Sequence, residues 1–422
     1  MKARRGSRRR NPWAASADPR AGEWVAKNAP AMDAMVRASH RPRFFLPRQP
    51  RDKSTLEDLG SRLGVTVLSP MLHASRSLLV RAALAGRAGR MKEAWADVLA
   101  VHRLGRLVAE QPDVITMMTG GAIEMSAAQF TWKLVANTPL SAEQARAMQG
   151  DLAALPPMSP GARHIDWGER IFDLGITLET IQNPREEPWR PHTQKLGPNS
   201  KFQPRPEAAA WLDFLMAMLR SPRVRKSVDW DQVLRLTNAN FDELVALLKL
   251  PTYADRVIAF DGLTKRADAR IAAAREAQAR AASRPADIGD PAPGTIVGIF
   301  ESFSSFMDLG RDVLLLAGSA PDRVAMERRM SMTVLALAAY RGDKGGYPVE
   351  LAALVGKYLE AMPVDFYDGR ALRYRRTEKG YVLYSIGPDM VDQEGRSDKG
   401  GGYDIAVWMG QNPPGPATKP AP

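Results

Sequence analysis

Cysteine is absent from the 422 residues, and histidine occurs only five times. The lack of cysteine excludes disulfides, zinc–thiolate sites, iron–sulfur clusters and a cysteine nucleophile. It leaves the compartment open, because a cysteine-free chain suits both reducing and oxidising surroundings. None of the histidines forms an HExxH motif or a pair at metal-ligand spacing. The sequence therefore does not predict a site built on soft metal ligands.

Long apolar runs are missing as well. The most apolar windows, 312–320 and 333–339, are shorter than the about 18 to 20 residues that a membrane-spanning helix needs. The basic start at residues 1–10 is followed by Asn11-Pro12-Trp13 rather than by the apolar segment of a signal peptide. The sequence as given predicts a cytoplasmic protein. An in-frame apolar stretch ahead of Met1 would instead place the chain in the cell envelope, in contact with the membrane through that anchor.

Motifs of the common nucleotide-binding and hydrolase sites are also absent, since the chain has no Walker loop, no GxGxxG and no GxSxG. One polar cluster stands out on a predicted helix, where Asp166 and Glu169 share a face and His164 lies on another edge. A general acid/base pair is conceivable there. A structural role is favoured because no nucleophile or metal motif accompanies it. An enzyme of unknown reaction with a site at these three residues is kept as an alternative.

Positive charge dominates the chain, with a formal net charge of +12. Residues 1–10 hold six lysines and arginines and no acid, which is half of that excess. Such an arm can contact nucleic acid or anionic lipid. A solvated, disordered arm over residues 1–22 is favoured because residues 1–10 have no aromatic side chain to stack on bases. No nucleic-acid partner is therefore expected.

Apolar residues at helical spacing predict a mainly α fold. An irregular multi-helix domain is predicted over 23–320, with Pro-rich linkers near 183–206 and 285–295. Within it we expect an antiparallel helix pair over 70–85 and 91–110, and a capping box at Ser141 to Gln144. A small α+β module is predicted over 321–410, in which one long helix starts at Pro321 and packs on a three- or four-stranded antiparallel sheet. A disordered tail is predicted over 411–422. Three arginines are interpreted as a solvated face of the sheet: Arg373, Arg375 and Arg376.

The closing stretch of the module contains an acidic, glycine-rich loop between Gly387 and Asp404. Five acids and two bases lie between Asp389 and Asp404. Calcium prefers six to eight oxygen ligands in a flexible loop, and glycines permit the tight turns that such a loop needs. The spacing is not that of an EF-hand. On composition alone the loop is either a cation site or a plain turn.

Four motifs occur in order along this stretch: Gly346-Tyr347-Pro348, Val364 to Gly369, Ser385-Ile386-Gly387-Pro388-Asp389, and Tyr403-Asp404-Ile405 with Trp408. In this order they resemble the C-terminal domain of the major pseudopilin, protein G, of type II secretion systems. The resemblance implies a calcium ion bound by Asp389, Asp404 and the Ile386 carbonyl. The loop is longer than in that family, so the third acid is either Asp392 or Asp398.

The chain departs from a pseudopilin in its first part. The helix that leads into the module is charged rather than apolar, and about 320 residues precede it. The whole chain resembles an uncharacterised bacterial family in which a helical domain precedes a pseudopilin-like end, often behind a membrane anchor. We therefore expect a non-enzymatic cell-envelope or assembly protein. Its module would be a calcium-stabilised structural or docking unit, for protein partners or for self-assembly.

Overall fold

A computed structural model describes residues 12–45, 65–171, 229–282, 308–396 and 404–410, together with residues 174, 175, 178 and 226. Several predicted features lie outside the described residues. They are residues 1–11 of the arm predicted over 1–22, both Pro-rich linkers, the tail at 411–422 and the candidate ligand Asp398. The rest of that arm is described, and the prediction of disorder is wrong there, because Pro12–Ala15 form a helix and Trp13 packs against the core.

The described chain is mainly helical, with one small antiparallel sheet near its C-terminal end, which confirms the predicted fold class. The helices and strands are α1 Pro12–Ala15, α2 Ala21–Ala38, α3 Val65–Arg87, α4 Met91–Ala109, α5 Val114–Asn137, α6 Ala142–Ala153, α7 Gly161–His164, α8 Trp230–Leu248, α9 Tyr253–Ala282, α10 Asp308–Lys344, β1 Arg373–Arg376, β2 Tyr381–Ser385 and β3 Ile405–Met409. A π-helical turn, Ile165–Glu169, continues α7, and a 3-10 turn, Leu351–Leu354, follows α10. None of the helices in the described ranges is long and apolar enough to cross a membrane.

Two glycines set the distance between α4 and α5. A Cβ atom at Gly105 would lie 2.9 Å from the backbone oxygen of Gly120 and 2.9 Å from the backbone nitrogen of Glu124. A Cβ atom at Gly120 would overlap the Gly105 carbonyl in the same way. The two backbones therefore touch directly, which only glycine permits. This contact brings the side chain of Glu124 against α4.

Local capping follows the sequence closely at two helix starts. The Ser141 hydroxyl accepts the Gln144 N–H at 3.1 Å, and the Gln144 side chain accepts the Ser141 N–H at 3.0 Å, so the predicted capping box is confirmed. At the start of α5, the Asp113 carboxylate accepts the Thr116 N–H at 2.8 Å. The first turns of α5 and α6 therefore have part of their free N–H groups satisfied within the chain itself.

The long helix α10 connects the bundle to the sheet. The prediction that it starts at Pro321 is wrong, because the helix begins at Asp308 and continues through Pro321. Proline removes one backbone donor, but contacts beyond it hold the helix in place. Asp322 pairs with Arg256 of α9 at 2.8 Å, and Val324 and Met326 are buried. The predicted domain boundary at residue 320 falls inside this helix.

The sheet has the order β1-β2-β3 with antiparallel pairing throughout, and its register pairs Arg376 with Tyr381 and Tyr381 with Met409. Alternate residues of β2 and β3 point into one hydrophobic core that also contains buried side chains of α3 to α6 and α10. The sheet and the helical bundle therefore share a core.

The opposite face of the sheet is covered by the loop that follows β2. A Cβ atom at Gly395 would lie 3.2 Å from side-chain atoms of both Val382 and Tyr384. The Trp408 indole N–H donates to the Gly395 carbonyl at 2.9 Å. The segment 387–396, which we call the covering loop, thus closes the second face of a three-stranded sheet.

Candidate functional site

Asp404, immediately before β3, fixes the covering loop from beneath. Its side chain is buried, with 3% of the residue exposed. The Oδ2 atom accepts the backbone N–H groups of Gln393 at 3.2 Å and Gly395 at 2.6 Å. The Oδ1 atom is buried and has no hydrogen-bond partner among the described residues. A buried carboxylate oxygen without a hydrogen-bond donor destabilises the folded state. Oδ1 of Asp404 is therefore a candidate position for a bound proton or cation.

The electrostatics of Asp404 follow from its position. Burial raises the pKa of Asp404 to about 6, and the charges of Asp392 and Asp389 add to that increase. The two backbone N–H groups act in the opposite direction by stabilising the carboxylate. Binding of either a proton or a cation would therefore stabilise the Oδ1 atom of Asp404.

The two neighbouring acids of the covering loop are engaged in short local bonds. Asp389 accepts the Val391 N–H at 3.2 Å and the Gln393 side-chain N–H at 2.9 Å. Asp392 accepts the Glu394 N–H at 2.8 Å. The Gln393 Oε1 atom is buried and, within the described ranges, has no hydrogen-bond partner. Gln393 therefore connects Asp389 to Asp404 and adds a second unsatisfied oxygen, which sequence reasoning missed because only the fold brings it beneath the loop.

Of the predicted calcium ligands, Ile386 lies just after β2 and Asp398 lies outside the described residues. In the part of the chain that the structure describes, no three histidine, aspartate or glutamate side chains converge on one point. The structure places Asp404, Gln393 and Asp389 in one connected cluster.

A second carboxylate, Asp365, organises the same end of the sheet and was not predicted. It is fully buried and accepts the Ser385 hydroxyl at 2.8 Å, the Ile386 N–H at 2.9 Å and the Arg373 guanidinium at 2.8 Å. Arg373 also pairs with Asp368. The interpretation of Arg373 as a solvated residue is wrong, because its side chain is only 19% exposed. The sequence signal would have been the Asp-x-x-Asp-Gly turn at 365–369.

Tyr253, the first residue of helix α9, contacts the covering loop. The Tyr253 hydroxyl donates to the Pro388 carbonyl at 3.1 Å, and its ring meets Tyr367 edge-on at 4.8 Å between centroids. The guanidinium of Arg256, one turn later, lies 5.3 Å from the centre of the Phe366 ring. The loop is therefore held by the sheet below and by α9 at its side.

A separate ionic network lies in the bundle core. His102 Nδ1 lies 2.9 Å from Glu124 Oε1, and Arg106 Nη1 lies 2.6 Å from Glu124 Oε2, with all three side chains buried. Burial alone would raise the pKa of Glu124, but the charges and hydrogen bonds of His102 and Arg106 outweigh it and lower that pKa. The network connects α4 to α5. Its burial and mutual pairing indicate a structural role.

Glu327 of α10 lies at the edge of this network. It accepts hydrogen bonds from the Gln129 side chain at 3.2 and 3.3 Å and from Arg323 at 3.2 Å. Burial raises the pKa of Glu327 to about 7, and the charge of Glu124 adds to it, although Arg323 and Gln129 oppose the shift. A polar contact of this kind fixes the register of α10 against α5.

The alternative polar cluster does not form one cleft. His164 is buried, with Nδ1 3.2 Å from the Pro112 carbonyl, and its Nε2 atom has no partner in the described part of the chain. Glu169 accepts the Val114 N–H at 3.0 Å, whereas Asp166 pairs with Arg170 at 2.8 Å. Burial lowers the pKa of His164. His164 and Glu169 thus anchor the start of α5, and Asp166 is directed to a different neighbour.

Searches of the chain against protein-family models, curated proteins and solved structures find no match.

Proposed function

We propose that the chain is a non-enzymatic assembly protein of the bacterial cell envelope, in which the C-terminal module docks to protein partners. The observation that carries this proposal is the distribution of exposed apolar side chains. Six of the thirteen large apolar residues that are exposed in the described ranges lie within the module. They are Val349, Val355, Met362, Val364, Met390 and Val391. This share of exposed apolar side chains in one module favours a protein contact, because exposed apolar surface commonly marks protein interaction sites.

The bundle supports such a module as a rigid base. The module shares its core with α3 to α6, and α10 enters it without a break. Arg328 of α10 donates to the carbonyls of Leu152 and Leu155 at 2.9 Å, which ties α10 to the end of α6. A docking surface held in this way keeps its shape when a partner binds, which lowers the entropic cost of association.

Calcium is part of the same proposal, as a stabiliser of the covering loop. The residues fit a hard cation in one respect, because the buried Oδ1 of Asp404 and Oε1 of Gln393 are oxygens without partners among the described residues. Asp404, Gln393, Asp389 and the Ile386 carbonyl would hold the ion. It would supply positive charge beside carboxylates that repel each other and would fix the loop on the sheet.

Photocrosslinking in the native bacterium tests the docking function. A photoreactive amino acid at Val349, which is 77% exposed, is expected to give discrete adducts of higher mass in the envelope fraction. The same amino acid at Ile258 of α9, which is 72% exposed, serves as the matched control. Equal adducts at both positions, or none at Val349, would contradict the proposal.

A further inference from the structure

We infer that the outer edge of β1 binds an acidic, extended segment of a partner protein, which adds to the sheet as a fourth strand. This inference rests on the proposed docking function and names the chemistry of the partner. It is carried by the position of β1 and by the charges on it.

β1 has a strand partner on one side only within the described chain. It pairs with β2, and the nearest pairing on its other side is the single bridge between Val364 and Ala371, which ends before β1 begins. The turn closes with the Thr377 N–H donating to the Gly380 carbonyl at 2.9 Å. Hydrogen-bonded and non-hydrogen-bonded pairs alternate along an antiparallel ladder. Since Thr377 is hydrogen-bonded to Gly380, Tyr374 and Arg376 belong to non-hydrogen-bonded pairs, and their backbone N–H and C=O groups point away from β2.

Those outward groups are free to pair. Among the described residues, no backbone hydrogen bond outside the helices and the sheet ladder involves Tyr374 or Arg376. The Tyr374 hydroxyl donates to the Pro348 carbonyl at 2.8 Å, which joins β1 to the segment that carries the exposed side chain of Val349. An added strand would therefore find backbone partners on β1, and main-chain hydrogen bonds of this kind supply the affinity in strand-addition recognition.

The side chains of the edge determine the partner's charge. Arg375 and Arg376 are exposed and have no ion-pair partner in the described ranges. Exposed Arg370 and Lys379 flank them, and Glu378 is the one acid in the turn. Arg373 differs, because it is already paired with Asp365 and Asp368. The edge thus presents an excess of unpaired positive charge along its length.

A second copy of the chain is a poor occupant of this edge. Pairing β1 with itself would bring Arg375 and Arg376 close to the same arginines of the other copy, and like charges across strands repel. Exposed charges on edge strands commonly prevent such self-pairing. An acidic segment converts the same charges into attractive cross-strand pairs.

Peptide binding to the full chain tests the inference. The probe is a capped, fluorescent peptide of alternating glutamate and valine, compared with the lysine–valine peptide and with an acidic peptide that is N-methylated at alternate residues. Fluorescence anisotropy is expected to show binding of the first peptide only, weakening with added salt. The double variant Arg375→Glu/Arg376→Glu is expected to lose about tenfold or more in affinity. Lys27→Glu/Arg37→Glu, with the same change in net charge on α2, is expected to bind as the unchanged protein does.

Three results would overturn the inference. If the N-methylated peptide binds as tightly as the acidic peptide, the binding is due to charge attraction alone and not to backbone pairing. This comparison uses the unchanged protein, so it holds even if a double variant fails to fold. A dimer in solution that dissociates in Arg375→Glu/Arg376→Glu would assign the edge to a second copy. If the acidic peptide does not bind but crosslinks at Val349 persist, strand addition is excluded while the docking function stands. If neither binding of the acidic peptide nor crosslinking at Val349 is observed, the docking function is contradicted as well.

Discussion

The two oxygens of the Asp404 carboxylate lie in different surroundings, and this difference predicts the response of the covering loop to cations. Oδ2 is satisfied by two backbone N–H groups, whereas Oδ1 is buried without a partner among the described residues. A bound cation or a proton would remove the same penalty. The two should therefore compete for Asp404.

We predict that calcium raises the melting temperature of the protein at pH 8 and has a smaller effect at pH 5. The pKa of Asp404 is raised to about 6, so its carboxyl is protonated at pH 5 and binds calcium weakly there. Free calcium at 100 times Kd would add about 2.7 kcal/mol to the free energy of unfolding. Differential scanning calorimetry with calcium or with chelator measures the shift.

The variant Asp389→Ala is expected to abolish the calcium effect. Asp261→Ala, which removes an exposed carboxylate on α9, is the control and is expected to keep it. Identical melting curves with calcium and with chelator at pH 8 would reject the site. Without calcium, the raised pKa of Asp404 has its own consequence: its contribution to stability is present at low pH and is lost as the pH rises through about 6.

At the scale of helices and strands, the closest contact in the bundle is the one between α4 and α5. We predict that Gly120→Ala destabilises the protein by several kcal/mol, because the new Cβ would overlap the backbone of α4 and the two helices would have to separate. Gly121→Ala is the matched control. Its Cβ would meet only Val324 at 3.4 Å, and alanine favours a helix by up to about 1 kcal/mol over glycine.

Urea unfolding followed by circular dichroism measures both variants. If Gly120→Ala and Gly121→Ala have the same midpoint, the contact between the two backbones does not determine the packing. Because His102, Arg106 and Glu124 lie on the two helices, a separation of α4 from α5 would also lengthen their ion pairs.

The elements themselves were largely predictable from the sequence, since apolar spacing and capping residues act locally. The helix pair α3–α4, the capping box at Ser141 and the strands after Tyr381 all follow from such patterns. The starts of α3 and α10 were not predicted correctly from such patterns, because Pro70 and Pro321 both lie inside helices. Proline is a local signal for a helix start, and only tertiary contacts such as Asp322 with Arg256 reveal that the helix continues.

The candidate site was predictable only in part, and the reason is physical. Asp389 and Asp404 stand out because acids and glycines cluster around them. The roles of Gln393 and Asp365 depend on groups brought together by the fold, such as Ser385, which lies 20 residues from Asp365 along the chain. Burial and missing partners are properties of the folded state, so no pattern in the sequence marks them.

At the scale of the whole molecule, the shared core predicts that the bundle and the sheet unfold together. Side chains of α4, α5, α10, β2 and β3 belong to one continuous apolar cluster. We expect a single calorimetric transition, and we expect Asp365→Asn in the module to lower the midpoint of that whole transition. Removing one partner of a buried ion pair costs about 3 to 5 kcal/mol.

Glu360→Gln, on an exposed side chain of the module, is the control and is expected to change the free energy of unfolding by less than about 0.5 kcal/mol. Two separate transitions, with only one of them shifted by Asp365→Asn, would show instead that the module and the bundle are independent units.

The continuity of α10 also has a consequence for biosynthesis. The hydrogen bond between Gln129 and Glu327 spans 198 residues, so α5 can complete its packing only after residue 327, about three-quarters of the way along the chain, has left the ribosome. Until then, the apolar surface of α4 to α6 that α10 will cover remains exposed to other nascent chains. Premature termination before residue 324 would yield a fragment that lacks the part of the core that α10 and the sheet supply.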